Sequence, residues 1–193
     1  WFADAVSATT MHDLKRKTTK ARVELIAELV AQEAAESWVI WCDTDYEADA
    51  LRVAIADAVE VRGSHPVERK EEGLDAFRTG AARAIITKPS IAGHGLNWQH
   101  CARMAFVGRS FSYESWYQAV RRCWRFGQQR EVIVHLAVAE GEDQIGRVID
   151  RKAADHNAMR AAMTEAMLRD SGQRLARGAY EAKHVGRLPG WMR

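Results

Sequence analysis

The 193-residue sequence predicts an α/β fold in which a parallel sheet is covered by helices on both faces. Two observations support this prediction. Short apolar runs of strand length alternate with longer segments whose apolar residues recur at helical spacing. Several of the short runs end in polar or glycine-bearing turns, and in a parallel sheet such turns all emerge at the carboxyl edge, where these folds bind ligands. We therefore expect the functional residues at that edge.

The first half of the chain predicts three helices and two strands. The helices span 20–35, 47–58 and 66–79, and the strands span 37–42 and 59–61. Pro66 suits the first position of the third helix, with Ser64 or His65 as its cap. Gly80 suits the position just past the end of that helix. Both ends of this helix are therefore marked in the sequence.

The second half predicts three more strands, at 83–87, 103–108 and 131–138, and a final helix at 142–168. Another helix lies between the last two strands, with Ser112 as its cap and Gly127 as its stop. Residues 169–193 are basic, contain four glycines and are expected to form a loose or partner-docked tail. These patterns divide the chain into a linker and lead-in helix at 1–36, an α/β domain at 37–168, and this tail.

The composition is that of a soluble globular protein, with 47% hydrophobic and 28% charged residues. No apolar run approaches the roughly 20 residues of a membrane helix and no signal peptide is visible, so a cytoplasmic location is expected. Cys42, Cys101 and Cys123 lack CxxC spacing, which favours a reducing compartment and argues against a structural zinc site. The net charge of +2 does not by itself indicate a nucleic-acid binder. Trp1, in place of a methionine, suggests a fragment of a longer protein.

The segment QAVRRCWRFGQ, residues 118–128, concentrates hydrogen-bond donors. At about 100° per residue, Gln118, Arg122 and Arg125 share a narrow sector of the predicted helix. Almost opposite them lie Trp116, Val120 and Cys123. The helix is expected to dock through the tryptophan side and to project the glutamine and both arginines outward. Such a stripe is either a solvated surface or a pair of guanidiniums, one turn apart, that grip a phosphate.

A second segment, TKPSIAGHGLNW at 87–98, follows a predicted strand and combines a polar turn with Gly93, Gly95 and Asn97. Glycines in such a loop let backbone N–H groups approach a phosphate or a sugar. A tight turn without any ligand explains the same pattern. A ligand-binding role for this loop is therefore supported mainly by its occurrence together with the arginine-bearing segment.

Together these segments resemble the second RecA-like lobe of superfamily-two helicases, nearest the Swi/Snf-like branch. The sixth motif of that branch reads Q-A-x-x-R-x-x-R-x-G-Q, and residues 118–128 match it. Its fifth motif is a glycine-rich loop ending in G-[LI]-N-L, which residues 93–98 resemble with a tryptophan in the last position. Gly63, Ser64 and Arg69 resemble a further G-S-x-x-x-x-R element of the branch.

The resemblance implies a RecA-like fold in which Arg122 and Arg125 act as arginine fingers on the γ-phosphate of ATP. It places four further residues at the nucleotide, Gln118, Gly93, Gly95 and Asn97, and four at nucleic acid, Gly63, Ser64, Thr87 and Lys88. The implied cofactors are ATP and Mg²⁺, held mainly by an N-terminal RecA-like lobe of the same parent protein. That lobe and nucleic acid, double-stranded DNA in this branch, are the implied partners. No metal ligand set is predicted within the chain.

The sequence also departs from the pattern of the branch. Arg121 stands where aspartate is usual, and residues 111–113 replace the usual Trp-Asn-Pro element; a phage or prophage helicase would account for this divergence. No G-x-x-x-x-G-K-[ST] loop occurs, so the isolated chain is expected not to hydrolyse ATP. Two other functions stay open: a non-catalytic α/β docking module for nucleic acid or protein, and a nucleotide-sugar-type α/β enzyme that uses the glycine loop.

Overall fold

A computed structural model describes residues 8–92, 96–108, 112–139 and 143–175 of the chain. The elements follow in the order α1 (Ala8–Gln32), β1 (Trp38–Trp41), α2 (Asp45–Ala54), β2 (Val59–Val61), α3 (Val67–Arg78), β3 (Ala84–Thr87), α4 (Pro89–Ala92), β4 (Arg103–Phe106), α5 (Tyr113–Val120), β5 (Ile133–Leu136) and α6 (Asp143–Leu175). The chain divides into two compact units, residues 1–151 and residues 152–193.

The five strands form one sheet in the order β2-β3-β1-β4-β5, and every neighbouring pair is parallel. Trp41 at the end of β1 pairs with Thr87 on one side and with Phe106 on the other, so the carboxyl ends of the three central strands are level. After β1 the chain crosses toward β2, and after β4 it crosses toward β5 on the opposite side. The gap between β1 and β4 is therefore the switch point at which open α/β sheets bind ligands.

The sheet is buried on both faces because side chains alternate between them along each strand. On one face, Trp38 and Ile40 of β1 pack with α1 and α2, whose contributions include Ile26 and Leu51. On the other face, residues such as Val39 of β1 pack with α3 and α5. This arrangement confirms the predicted α/β fold with a parallel sheet and helices on both faces.

Several element boundaries differ from the sequence-based prediction. Helix α1 begins at Ala8 rather than at residue 20, and α6 continues to Leu175, past the predicted end at 168 and into the expected tail. Both extensions lack a strong amphipathic pattern, so periodicity did not indicate them. Residues 176–193 of the tail lie outside the described residues.

The ends of α3 were predicted with one error. Pro66 occupies the cap position itself and not the first helical position, since its extended ψ of 156° precedes the helix. Gly80 lies just past the end with a φ of +81°, as predicted, and this left-handed conformation favours glycine. The prediction of Ser64 or His65 as the cap was therefore wrong.

Three absences concern the described part of the chain. Its helices include none that is long and apolar enough to cross a membrane. Its His, Cys, Asp and Glu side chains form no group of three or more that could hold a metal ion. The three cysteines are free and buried, so no disulfide joins them.

Candidate functional site

The segment 118–128 is helical for only part of its length. Helix α5 starts after Ser112, whose hydroxyl accepts the Ser115 N–H at 3.2 Å, and this confirms the predicted cap. The helix ends at Val120, and turns follow until Gly127, which has a φ of +91°. Residues 121–125 therefore leave the helix axis, and the stripe expected from helical geometry is broken after its first member.

Arg122 lies inside the protein and not on an outward face. It is 7% exposed, and its guanidinium donates to the Leu96 carbonyl at 3.0 Å and to the Gln118 carbonyl at 3.0 Å. A third bond reaches Oε1 of Gln118 at 3.3 Å. Burial, together with the positive charges of Arg125 and Arg121, lowers the pKa of Arg122. The prediction that this arginine projects from the core was wrong, because the turn after Val120 brings it back over residue 96.

Arg125 is exposed, as predicted. One side-chain hydrogen bond joins it to the described residues, from its guanidinium to the Leu96 carbonyl at 3.1 Å. A guanidinium carries five N–H donors, so most of those on Arg125 remain available to an incoming anion. The two arginines therefore share one acceptor while differing sharply in exposure.

The 118–128 segment is tied to the segment that follows the glycine loop. The main-chain N–H of Trp98 donates to the Arg122 carbonyl at 2.9 Å. Gln128 adds three bonds from its side-chain nitrogen, to the carbonyls of Gln99 (2.9 Å), Cys123 (3.2 Å) and Cys101 (3.4 Å). Gln128 was part of the motif match in the sequence, but no role was assigned to it there. Its position directly after Gly127 was the available signal, because a polar residue after a helix-stopping glycine indicates a turn. Gln128 connects the two candidate segments.

The other residues that were expected to contact the nucleotide differ in exposure, and two of them are not described. Asn97 is exposed and its side-chain amide donates to Oε1 of Gln99 at 3.4 Å. Gln118 is half-buried and bonded to Arg122. Gly93 and Gly95 lie outside the described residues. The structure thus brings Gln118, Arg122, Arg125 and the 96–97 end of the loop together.

Large exposed aromatic side chains flank the arginines. Phe126 is fully exposed and Trp124 is 54% exposed, and the guanidinium of Arg121 lies 5.4 Å from the Trp124 ring centroid. On the docking side of α5, Trp116 and Val120 are only half-buried, while Ala119 is fully buried. The segment therefore presents cationic and aromatic groups together on one surface.

A cavity of about 80 Å³ lies at the switch point of the sheet. It is lined by residues that follow β1, β3 and β4 and by α5, among them Asp43, Lys88, Ser90, Gly108 and Ser115. The Lys88 ammonium contacts Asp45 at 2.9 Å, and this hydrogen bond lowers the pKa of the Asp45 carboxyl. The carboxyl edge thus combines a small opening with a lysine, as the sequence predicted for Lys88.

The remaining residues that were expected to contact nucleic acid differ in exposure to solvent. Gly63 and Ser64 are exposed in the turn after β2. Thr87 is 1% exposed, and its hydroxyl donates to the Val61 carbonyl at 3.0 Å. This hydroxyl joins β3 to β2, so its position does not present it to a ligand.

A buried ion pair that the sequence analysis missed fixes the loops after β1 and β4. Glu47 is fully buried, accepts the N–H groups of Asp43 and Thr44 at 2.9 and 3.0 Å, and pairs with Arg22 of α1 at 2.9 Å. A Cβ on Gly108 would lie 2.4 Å from Oε1 of Glu47. The T-x-x-E spacing at 44–47 is a capping-box signature and could have identified this glutamate.

Comparisons with known proteins agree with this architecture. A family model described as the helicase conserved C-terminal domain matches residues 21–127, more than half of the 193-residue chain. The structure is similar to the C-terminal part of the Fun30 ATPase domain, with a TM-score of 0.59, 18% identity and coverage of 66% of this chain and 44% of that one. The chain therefore spans less than half of the Fun30 fragment. No curated protein matches the sequence.

The structure is also similar to the C-terminal domain of the DEAD-box protein Dbp5, with a TM-score of 0.59, 16% identity and coverage of 69% of this chain and 79% of that one. A variant of the same domain from S. cerevisiae, bound to a Gle1 variant and IP6, gives a TM-score of 0.61 at 15% identity, with 71% and 80% covered. Identities this low establish a shared fold, and function has to be argued from the site.

Proposed function

Because the chain belongs to the family of helicase conserved C-terminal domains, we propose that it is the second RecA-like lobe of an ATP-driven nucleic-acid translocase, nearest the Swi/Snf-like branch. The observation that supports this proposal best is the joint placement of Arg122 and Arg125 against the Leu96 carbonyl. ATP and Mg²⁺ would be held mainly by an N-terminal RecA-like lobe of the parent protein.

The two arginines have different roles in this proposal. Arg125 contacts the γ-phosphate, because it is exposed and keeps most of its donors available. Arg122 was expected to be a second finger, but it is buried and three of its five N–H donors are engaged by Leu96 and Gln118. We assign Arg122 to holding the arginine-bearing turn and the end of the glycine loop in one geometry, so that Arg125 meets the phosphate without reorganisation. Asn97, which is exposed, and the glycines Gly93 and Gly95 of the matched motif are proposed as further contacts of the nucleotide.

Nucleic acid is proposed to cross the carboxyl edge of the sheet. Lys88 beside the cavity and the exposed pair Gly63-Ser64 are the residues suited to phosphate contacts there. Contacts of this kind give affinity without sequence preference, which suits a motor that moves along any sequence. Double-stranded DNA is the proposed track.

The test uses the intact parent protein and this chain in parallel. We expect the parent protein to hydrolyse ATP faster when duplex DNA is added and the isolated chain to show no turnover above background. Lys88→Gln should weaken duplex binding and reduce the slope of log affinity against log salt by about 1, whatever the DNA sequence. A parent protein without stimulated hydrolysis would instead favour the non-catalytic docking module, and ATP turnover by the isolated chain would contradict the lobe assignment.

A further inference from the structure

Phe126 combines a fully exposed side chain with a firmly held main chain. It is more exposed than any other large apolar side chain in the described part of the chain. The side-chain nitrogen of Gln99 donates to the Phe126 carbonyl. On either side of Phe126, the Arg125 N–H donates to the Cys123 carbonyl and the Gln128 N–H donates to the Arg125 carbonyl, both at 3.1 Å. The backbone therefore holds an aromatic ring in solvent with both of its faces open.

Gln99 joins this ring-bearing turn to the end of the glycine loop. Its side-chain oxygen accepts the Asn97 amide at 3.4 Å, and its main-chain carbonyl accepts the Gln128 side chain at 2.9 Å. Its side-chain nitrogen donates to the main chain of Phe126. Phe126 and Asn97 thus belong to one hydrogen-bonded frame. A ring on a backbone fixed in this way loses little conformational freedom when it binds a ligand.

The charges around Phe126 favour an anionic ligand. Residues 118–130 contain four arginines and no aspartate or glutamate. Arg125, which is adjacent to Phe126, is exposed and keeps most of its donors available. An exposed ring beside an exposed guanidinium matches the two parts of a nucleotide, a planar base and a charged phosphate chain. An apolar protein surface would match the ring alone.

The neighbouring aromatic residue, Trp124, is less open to such a ligand. It is 54% exposed, and the guanidinium of Arg121 lies over its ring at 5.4 Å from the centroid. One face of the indole is therefore already paired with a cation. Phe126, on the other side of Arg125 in the sequence, has both faces available for a planar group.

We propose that Phe126 is the platform on which the base of ATP stacks, with Arg125 on the phosphates. The inference rests on the proposed function, which assigns ATP to Arg125 and nucleic acid to the carboxyl edge of the sheet at Lys88. A phenyl ring contacts the π face of a base and none of its exocyclic groups, so Phe126 adds affinity for purine nucleotides without selecting adenine over guanine. Because this stacking is equally strong in the ground state and the transition state, it lowers KM and leaves kcat unchanged.

The test compares variants of Phe126 in the intact parent protein. Phe126→Ala should raise the KM for ATP and the Kd for ADP by about tenfold, the effect of losing one stacked base. The kcat and the Kd for inorganic tripolyphosphate, which has no base, should stay within about twofold. Phe126→Tyr keeps the ring and should match wild type, whereas Phe126→Leu is apolar without a planar ring and should behave like Phe126→Ala. Val53→Ala is the matched control, because Val53 is 85% exposed on α2.

An unchanged Kd for ADP in Phe126→Ala would overturn the proposal. Full rescue by Phe126→Leu would do so too, because it would indicate an apolar contact with a protein surface. Equal losses of affinity for ADP and tripolyphosphate would show that the turn is disturbed and that no base contact is lost. Weaker binding of duplex DNA with unchanged ADP binding would assign the ring to nucleic acid.

The same experiment separates this inference from the proposed function. A wild-type parent protein that binds no nucleotide would overturn both. Wild-type hydrolysis of ATP, with a Phe126→Ala variant whose KM is unaffected, would overturn the stacking role of Phe126 alone. Urea unfolding of the isolated chain should give equal midpoints for wild type and Phe126→Ala, because the fully exposed ring buries no surface.

Discussion

The guanidiniums of Arg122 and Arg125 converge on one acceptor, the main-chain oxygen of Leu96, at 3.0 and 3.1 Å. One of them is 7% exposed and the other is exposed at the surface. A shared acceptor means that the two side chains are held in a common frame. Their different exposure means that substitutions can separate structural support from contact with a ligand.

Arg122→Ala is expected to lower stability. The variant loses three partly buried side-chain hydrogen bonds, two to Gln118 and one to Leu96. Hydrogen bonds from charged groups contribute more to stability than bonds between neutral groups, and these three are partly open to solvent, so we expect a loss of about 2 kcal/mol in the free energy of unfolding. Urea unfolding of the isolated chain measures it. Arg125→Ala is the matched control and should stay within about 0.5 kcal/mol of wild type; equal stability of both variants would contradict the structural role of Arg122.

Arg125→Ala should act on turnover and not on folding. In the intact parent protein we expect the DNA-stimulated kcat to fall by about 10³-fold, the effect of losing an arginine finger. Arg125→Lys should not restore activity, because a point charge does not reproduce the guanidinium fork. Arg121→Ala, whose side chain stacks on Trp124, is the control and should be far milder. Near-wild-type turnover of Arg125→Ala would show that Arg125 is an ordinary surface arginine without a catalytic role.

Gln128→Glu should destabilise the junction between the two segments. The substitution replaces a nitrogen that donates to three carbonyls with an oxygen that repels them. We expect a cost of about 2 kcal/mol, measured by urea unfolding. Gln129→Glu is the natural comparison, since its side chain is exposed and makes a single 3.4 Å bond to the Gly127 carbonyl. A cost shared equally by the two variants would show that added negative charge, and not the lost donor, is responsible.

Gly108→Ala should displace the buried carboxylate of Glu47. The new Cβ would lie 2.4 and 2.6 Å from its two oxygens, so the glutamate has to move away from Arg22. Disturbing a buried ion pair costs about 3 kcal/mol or more, and calorimetry should show a clearly lower Tm. Gly63→Ala meets nothing closer than 3.9 Å and should be nearly neutral. If Gly108→Ala is as stable as Gly63→Ala, the loop after β4 is not packed against Glu47.

Stability should fall on acidification partly through His65. Burial, followed by the positive charge of Arg69, lowers the pKa of His65 below its ordinary value of 6.5. The folded state therefore binds this proton less readily than the unfolded state, so the stabilisation is present above pH 6.5 and is lost as the pH falls through the lowered pKa. The main-chain N–H of Arg62 donates to Nδ1 of His65 at 3.3 Å, and protonation of this nitrogen removes the acceptor.

The measurement compares Tm of wild type and His65→Gln between pH 7.5 and pH 5. Loss of one hydrogen bond is worth about 1 kcal/mol, and for a chain of this size that is a shift of about 2–4 °C. Between pH 7.5 and pH 5, the Tm of wild type should therefore fall by about 2–4 °C more than the Tm of the variant. Parallel curves would show that His65 does not contribute to the acid sensitivity.

Local patterns in the sequence predicted the strands of the sheet and most of the helices that cover it. SWVIWC and RAIIT became the central strands β1 and β3, because a strand buried on both faces has to be apolar throughout. Ser112 and Gly80 were predicted at helix ends from their residue types, since capping and left-handed backbone depend on groups close in sequence. The match of residues 118–128 to a helicase motif predicted the lobe.

Tertiary structure decided where the side chains of the candidate site lie and what they contact. Helical geometry placed Arg122 outside, but the helix ends at Val120, and the side chain turns inward to meet Leu96, 26 residues earlier in the chain. Gln128 and Glu47 act through carbonyls and N–H groups that the fold brings beside them. A sequence pattern shows which donors a segment carries, while the direction of each donor depends on where the backbone turns and which distant acceptors lie there. That is the physical reason why the lobe was predictable and the different placements of its two arginines, one buried and one exposed, were not.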